Sequence, residues 1–214
     1  MKKLLIIPTV LLIAFLFWSF SRNALGADSG FEFSVSCVSI AGANGDWVTP
    51  ENAQSDNDTN AAWSAGSASD FLQCTNYGFA IPDGATIDGV EVTIKGRETG
   101  GGNTQSTVVR LITDGTNQTG NDLSSGEDWD NSAYEVKTYG GATELWGLSL
   151  DAPTINSSNF GVGHQSSKLS AGSTGIDYMA IKVYYTEAPP ASAQVAVTKT
   201  IKGGTTIKGG TTIK

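Results

Sequence analysis

Apolar and polar residues alternate along much of the chain between residues 31 and 187, and no segment there has the three-to-four-residue spacing of an amphipathic helix. A period of two predicts β-strands with one buried face. The clearest case is the segment 90–95, in which Val90, Val92 and Ile94 share one face and the polar residues between them share the other. The stretch Ile176–Tyr185 is apolar on both faces, which favours a central strand.

Other strands follow from the same alternation. Phe31, Phe33, Val35 and Cys37 are predicted to share one face. Shorter strands are predicted at 61–65, 71–81, 107–113, 133–138, 145–150 and 159–165. Turn residues such as Pro82-Asp83-Gly84 separate them. Roughly nine or ten short strands at this spacing predict an all-β fold, an antiparallel β-sandwich or jelly roll.

The two ends of the chain differ from this body. Residues 1–26 combine Lys2 and Lys3 with an apolar run over 4–20 and the small residues of Ala24-Leu25-Gly26, which is typical of a signal peptide cleaved before Ala27. The run is also just long enough for an uncleaved N-terminal anchor, the one membrane contact the sequence suggests. Either alternative predicts a secreted or cell-surface protein.

The body is predicted to span 27–187, followed by a Pro/Ala linker at 188–197 and a tail at 198–214 that repeats T-T-I-K-G-G. Each repeat is a short β-prone piece, and Gly-Gly is a favoured hairpin turn. A two-stranded hairpin is marginal in water, so the tail is either a flexible basic end or an edge-pairing element. The second alternative predicts self-association, or attachment to a surface partner, through 198–214.

Charge and composition exclude several classes of function. The chain has 13 Lys and Arg against 21 Asp and Glu, and all 21 acids lie in 28–187 with only six bases, which gives that segment 6 − 21 = −15. The tail carries four lysines and no acid. Such an acidic body argues against nucleic-acid binding. One histidine and two cysteines are too few for a His-rich or Cys-based metal site.

The two cysteines are predicted to form one disulfide, Cys37–Cys74. Both lie in predicted strands of a chain with an export signal, and disulfides persist outside the cytoplasm. Two buried free thiols are the alternative.

Several motifs occur in the order found in a known family. They are Trp47-Val48-Thr49-Pro50-Glu51-Asn52-Ala53, the acidic stretch 56–61, Tyr77–Val92, Leu145-Trp146-Gly147, Ile155–Val162 and Val183-Tyr184-Tyr185. Over 46–186 the chain resembles β-sandwich modules, jelly-roll and galactose-binding-like in architecture, of bacterial exported proteins and phage structural or tail-associated proteins. The family usually has a Gly-aromatic pair after the acidic residues, where Thr59-Asn60-Ala61 stands here. The resemblance implies a structural or binding module and no catalytic residues.

No catalytic constellation is evident, so the protein is predicted not to be an enzyme. His164, the only imidazole, lies in a predicted strand and is expected to be half-exposed. There is no G-x-S-x-G motif. Among 21 acids some pair will have the separation that a glycosidase needs, so a carboxylate pair does not indicate an enzyme here.

Calcium is the one cofactor that the sequence suggests. Asp56, Asn57 and Asp58 offer hard oxygen ligands in a loop, and Glu127, Asp128 and Asp130 offer a second set. Solvated acidic turns are the alternative at both places.

A sugar ligand is suggested by Trp129, which lies in the polar loop 124–132 with Asp128 and Asp130 beside it and would stack on a sugar if it is exposed. Partial packing of the ring is the alternative. Trp47, Trp63 and Trp146 adjoin apolar strand segments and are expected in the core. The main hypothesis is an exported structural or adhesive β-sandwich module of a cell surface or of an extracellular or virion-associated fibre. The alternatives are a carbohydrate-binding module and a cell-wall glycan hydrolase.

Overall fold

The computed structural model describes residues 26–189, 199–200 and 206–207, and these residues are nearly all in strands and loops. The ten strands of the body are β1 Gly26–Phe33, β2 Ser36–Ile40, β3 Ala61–Trp63, β4 Phe71–Thr75, β5 Thr86–Thr99, β6 Thr104–Ile112, β7 Gln118–Thr119, β8 Glu135–Gly140, β9 Gly161–Lys168 and β10 Ser173–Thr186. Two four-residue helices, a 3-10 helix at Pro50–Ala53 and α1 at Ala152–Ile155, lie between strands. The described residues include no helix of the length and apolarity needed to cross a membrane.

The strands form two antiparallel sheets. The first has the order β1-β10-β5-β8, with β3 also paired to β10, and the second has the order β2-β4-β9-β6-β7. Buried side chains from both sheets make one apolar cluster. The predicted antiparallel β-sandwich is therefore confirmed.

The core contains the tryptophans predicted for it. Trp47 is 3% exposed, and Trp63 and Trp146 are fully buried. The indole N–H of Trp47 donates to the Asp70 carbonyl at 2.8 Å, and that of Trp146 donates to the Val90 carbonyl at 3.0 Å. Each large ring is thus buried with its one polar atom satisfied.

The disulfide Cys37–Cys74 is confirmed. The two residues are direct cross-strand partners in β2 and β4, with their Cα atoms 4.1 Å apart. The bond ties the edge strand β2 to the sheet.

The predicted common face of residues 31–37 is wrong. The chain leaves the first sheet after Phe33 and enters the second at Ser36, so Phe31 and Phe33 lie on the outside of one sheet while Cys37 is buried inside the other. The Val35 N–H donates to the Asn76 carbonyl at the crossing. Alternation cannot report a change of sheet, because the period of two continues through it.

The predicted strand at 145–150 is also wrong, because these residues form turns. Trp146 has a positive φ of 58°, which no regular strand accommodates, and its N–H donates to the Glu144 carboxylate. The predicted strand 71–81 ends at Thr75.

Strands β11 at Lys199–Thr200 and β12 at Thr206–Ile207 pair antiparallel in the tail. The predicted signal peptide, except Gly26, and most of the predicted linker lie outside the described residues.

Candidate functional site: a transverse groove on the first sheet

The outer face of the first sheet is set by alternation along β5 and β10. Val90, Val92 and Ile94 of β5 are fully buried in the core, so the residues between them point to the outside. Ala180 of β10 is the direct partner of Thr93 and therefore shares this outer face.

One row of residues crosses four strands on that face. Phe33 pairs with Ala180, Ala180 with Thr93, and Thr93 with Thr138. Strands lie about 4.8 Å apart, so the row extends for about 14 Å across the sheet. Ala180 is 1% and Thr93 8% exposed although both point outward, which means that longer neighbours overhang them.

The two flanking rows provide those longer neighbours. On one side Lys182 pairs with Glu91, and on the other Tyr178 pairs with Lys95. Residues of adjacent rows are two positions apart along a strand, about 6.6 Å. The result is a shallow depression across the strands, in which Ala180, Thr93 and Thr138 are the shortest side chains and neighbouring side chains cover Ala180 and Thr93. We call it the transverse groove.

Aromatic rings lie at the β1 end of the transverse groove. Phe33, which is 40% exposed, packs edge to face against Tyr178 with ring centroids 5.3 Å apart. Phe31 is also 40% exposed, and the Lys182 ammonium lies 4.5 Å from its ring centroid and 4.9 Å from that of Tyr184. Exposed rings held in place by neighbours provide rigid apolar contact area.

The wall formed by Glu91 and Lys182 is polar. The Tyr184 hydroxyl donates to Glu91 Oε2 at 2.7 Å, and the Lys182 ammonium lies 3.7 Å from the same oxygen. Tyr184, followed by the Glu91 charge, raises the pKa of Lys182. Both side chains stay about one-fifth exposed and so face the groove and the solvent together.

The opposite wall ends in an acidic cluster around Lys95. Its ammonium lies 2.5 Å from Asp56, 2.8 Å from Asp58 and 2.9 Å from Asp177. Asp177 is fully buried at a bulge in β10 and also accepts the Asn57 N–H. The hydrogen bond to Asp56 is the largest cause of the raised pKa of Lys95, whereas burial raises the pKa of Asp177.

This cluster contains the first predicted set of calcium ligands. The carboxylates of Asp56, Asp58 and Asp177 lie within 4.8 Å of one another, and Asp177 was not foreseen from the sequence. The Lys95 ammonium occupies the centre of the group, while the Asn57 side chain bonds to Ser55 and Thr59. A divalent ion would therefore have to displace an ammonium.

The second predicted set, Glu127, Asp128 and Asp130, does not converge on one point in the described structure. The Glu127 and Asp128 carbonyl oxygens each accept a 2.7 Å hydrogen bond from the Lys137 ammonium. The Asp130 carboxylate accepts from Ser132 and Ala133, which lowers its pKa. This loop too is held together by a lysine and by its own backbone.

The predicted exposure of Trp129 is wrong, because the residue is only 3% exposed. The loop folds over the open end of the sandwich. There the backbone N–H of Trp129 donates to the Thr104 carbonyl, and the indole ring packs edge to face against His164. The Lys137 ammonium covers the ring at 4.5 Å. Trp129 therefore has no free face for a sugar, and its neighbours Asp128 and Asp130 have no exposed ring beside them.

The predicted half-exposure of His164 is wrong as well. The ring is fully buried between Trp47 and Trp129, and its Nε2 lies 3.0 Å from the Ser106 hydroxyl. Burial, followed by the nearby Lys137 charge, lowers the pKa of His164 to about 3. The imidazole is therefore neutral and shielded from solvent.

Sequence reasoning missed the residues that shape the transverse groove. The alternation had placed Glu91, Thr93 and Lys95 on one outer face. What it could not supply was the register, which brings Phe33, Ala180 and Tyr178 beside them from strands about 60 to 90 residues away in sequence.

Comparisons with known proteins find low similarity to solved structures and no family. No family model matches the chain, and no curated protein matches it. Among solved structures, the chain is similar to the CBM22-1 xylan-binding domain of Paenibacillus barcinonensis Xyn10C, with 8% identity, a TM-score of 0.36 and coverage of 78% of this chain and 99% of that one. It is also similar to the CBM22-1–GH10 modules of Clostridium thermocellum endo-1,4-β-D-xylanase 10B complexed with xylohexaose, with 13% identity and a TM-score of 0.37. That match covers 78% of this chain and 29% of that one.

Proposed function

We propose that this protein is a non-catalytic carbohydrate-binding β-sandwich that holds a stretch of polysaccharide in the transverse groove. The observation that carries the proposal is the row of small residues, Ala180, Thr93 and Thr138, that crosses the sheet between two rows of long side chains. Ligand sites are concave, with apolar lining and a few placed polar groups. This groove combines those properties on one sheet face.

The chemistry of the groove matches that of a sugar. A pyranose ring has apolar C–H faces that pack on aromatic rings, and Phe33 and Tyr178 offer such rings at one end. Its hydroxyl groups need acceptors and donors, which Glu91, Lys182 and Thr138 offer. The row from Ala180 to Thr138 spans two strand spacings, about 10 Å, which suits a short stretch of linked sugar units.

Two observations support a role without catalysis and outside the cytoplasm. The only imidazole is buried away from the groove, so it is not placed to act as a base. The Cys37–Cys74 disulfide is of a kind that persists in oxidising compartments, which supports a secreted protein. The likeness to bacterial exported and phage modules, and the structural or adhesive role expected from it, stay predictions.

The test is binding to a panel of insoluble and soluble polysaccharides by pull-down and affinity electrophoresis. Phe33→Ala and Tyr178→Ala should each weaken binding about tenfold, since an aromatic contact contributes about 0.5–1.5 kcal/mol beyond its buried area. Phe71→Ala, a partly exposed ring on the outer face of the second sheet, is the matched control and should bind normally. Equal loss in all three variants, or no binding by the unmodified protein, would overturn the proposal.

A further inference from the structure

The cations along the transverse groove contact carboxylates and aromatic rings of the protein itself. An ammonium has three N–H donors. The Lys95 ammonium donates to Asp56 and Asp58, and it lies 2.9 Å from Asp177 Oδ2, which accepts no hydrogen bond among the described residues. Three carboxylates thus surround one ammonium, and an anionic group on a ligand would meet them beside it.

The other two cations contact aromatic rings. Lys182 lies against the rings of Phe31 and Tyr184 and 3.7 Å from the Glu91 carboxylate. The Arg97 guanidinium, one row beyond Lys95, lies 4.6 Å from the centroid of the Tyr134 ring. The groove thus has three cations against the four carboxylates of Glu91, Asp56, Asp58 and Asp177, and two of the cations are paired with those carboxylates.

The charge of the surrounding body acts in the same direction. Residues 28–187 carry a net charge of 6 − 21 = −15. A field of this sign raises the local concentration of cations and lowers that of anions, most strongly at low ionic strength. Specificity can come from repulsion of the wrong ligand as well as from contacts with the right one.

We infer that the transverse groove selects uncharged polysaccharides and excludes those that carry carboxylate or sulfate groups, with the Lys95 cluster as the excluding wall. This inference rests on the proposed function. A neutral chain needs only ring faces and hydroxyl partners, both of which the groove offers. An acidic chain would place anions beside Asp56, Asp58 and Asp177, which outnumber the one ammonium between them.

The experiment is affinity electrophoresis in neutral and acidic soluble polysaccharides, at about 20 mM and about 300 mM salt. Arabinoxylan, mixed-linkage glucan and galactomannan are the neutral probes, and polygalacturonate and alginate are the acidic ones. We expect salt-independent retardation by at least one neutral probe and none by the acidic ones. Retardation by an acidic probe equal to that by the best neutral probe overturns the inference alone. Retardation by no probe overturns the proposed function and the inference with it.

A double variant tests the role of the wall. Asp56→Asn with Asp58→Asn leaves Lys95 paired with Asp177 alone, and should increase the binding of the acidic probes relative to the neutral ones about tenfold at low salt. Asp46→Asn with Asp83→Asn, two exposed acids outside the groove, makes the same change in net charge. An equal gain in both double variants would assign the exclusion to net charge and overturn the role of the wall. Retained neutral binding and an unchanged circular dichroism spectrum show that each variant is folded.

Discussion

His164 shows how the surroundings of one residue set its chemistry. The residue lies in β9 among glycines and polar residues, and Trp129 and Lys137 reach its ring from a loop and from the opposite sheet. Together they exclude water from it. A histidine in such a place is a structural residue, because its charged form is disfavoured.

The lowered pKa of His164 predicts a specific pH dependence. In the unfolded chain the imidazole titrates near 6.5, whereas in the folded protein its pKa is about 3. Between these values only the unfolded state gains the proton, so the free energy of unfolding should fall as the pH falls from about 7 toward 5. Folding lowers the pKa values of Asp56, Asp130 and Asp151 from the ordinary value of 3.8. Protonation of these carboxylates therefore reduces the free energy of unfolding only below the range from pH 7 to pH 5.

His164→Gln should remove this dependence. The variant keeps a polar group near Ser106 but has nothing to protonate, so its melting temperature should stay nearly constant from pH 7.5 to pH 5, where that of the unmodified protein declines. Parallel decline in both proteins, measured by differential scanning calorimetry, would show that another group is responsible.

Lys95 allows the calcium prediction to be tested at the scale of one side chain. Its ammonium lies where a cation between Asp56, Asp58 and Asp177 would lie. Removing it by Lys95→Ala leaves three carboxylates with no cation, and such hard oxygen groups bind calcium. Millimolar calcium should therefore raise the melting temperature of the variant by mass action, and that of the unmodified protein much less.

Lys182→Ala is the matched control, since it removes a groove lysine that is not surrounded by acids. A calcium response of the same size in Lys182→Ala, or none in Lys95→Ala, would mean that Asp56 and Asp58 are not calcium ligands. A strong response of the unmodified protein that is abolished by Asp128→Ala would instead assign the ion to the loop with Glu127, Asp128 and Asp130.

Single strands were predictable where one face is buried and the other polar, as in β5. The register between strands was not, because it depends on partners far away in sequence. No local pattern in the sequence relates Phe33 to Tyr178, yet the pairing of β1 with β10 places their ring centroids 5.3 Å apart. The candidate site was missed for this reason, although most of the strands that build it were found.

The loops were the least predictable elements. Polar composition suggested an exposed Trp129, but a loop that covers the end of a sandwich has a buried side as well as an exposed one. The side chain of Lys137, which comes from the neighbouring strand, holds the inner side of the loop by donating to the Glu127 and Asp128 carbonyl groups.

At the scale of elements, the disulfide should matter because it anchors an edge strand. β2 pairs only with β4 in its sheet, and the bond joins them at a direct cross-strand position. Closing a loop with a sequence separation of 37 stabilises a protein by roughly 4 kcal/mol in the chain-entropy model. Cys37→Ser with Cys74→Ser should lower the melting temperature by roughly 10 °C or more, since about 1 kcal/mol corresponds to 2–4 °C at this size.

The unmodified protein treated with reductant should show the same loss, and reductant should leave the double variant unchanged. Intact mass before and after alkylation checks the bond directly. Two cysteines that alkylate without reduction, or a double variant as stable as the parent, would contradict this prediction.

At the scale of the whole molecule, the distribution of charge separates the body from the tail. The body is strongly acidic, while the four lysines at 199, 202, 208 and 214 have no acid among them. Opposite charges on two parts of one chain favour contacts between copies, and more so at low salt. The pairing of Lys199–Thr200 with Thr206–Ile207 is consistent with the β-prone character of the repeat.

Deleting residues 193–214 should therefore change assembly and not stability. The predicted Pro/Ala linker separates the repeat from the sandwich, so we expect the melting temperature of the truncated protein to lie within about 2 °C of the full-length value. Full-length protein should elute earlier on size exclusion at about 20 mM salt than at about 300 mM, whereas the truncated protein should elute at one position in both. A variant in which the four tail lysines are replaced by glutamine keeps the length of the chain and should behave like the truncation if charge drives the association. A large loss of stability on truncation would make the tail part of the fold, and a full-length protein that is monomeric at both salt concentrations and binds no surface would leave the tail without a role in assembly.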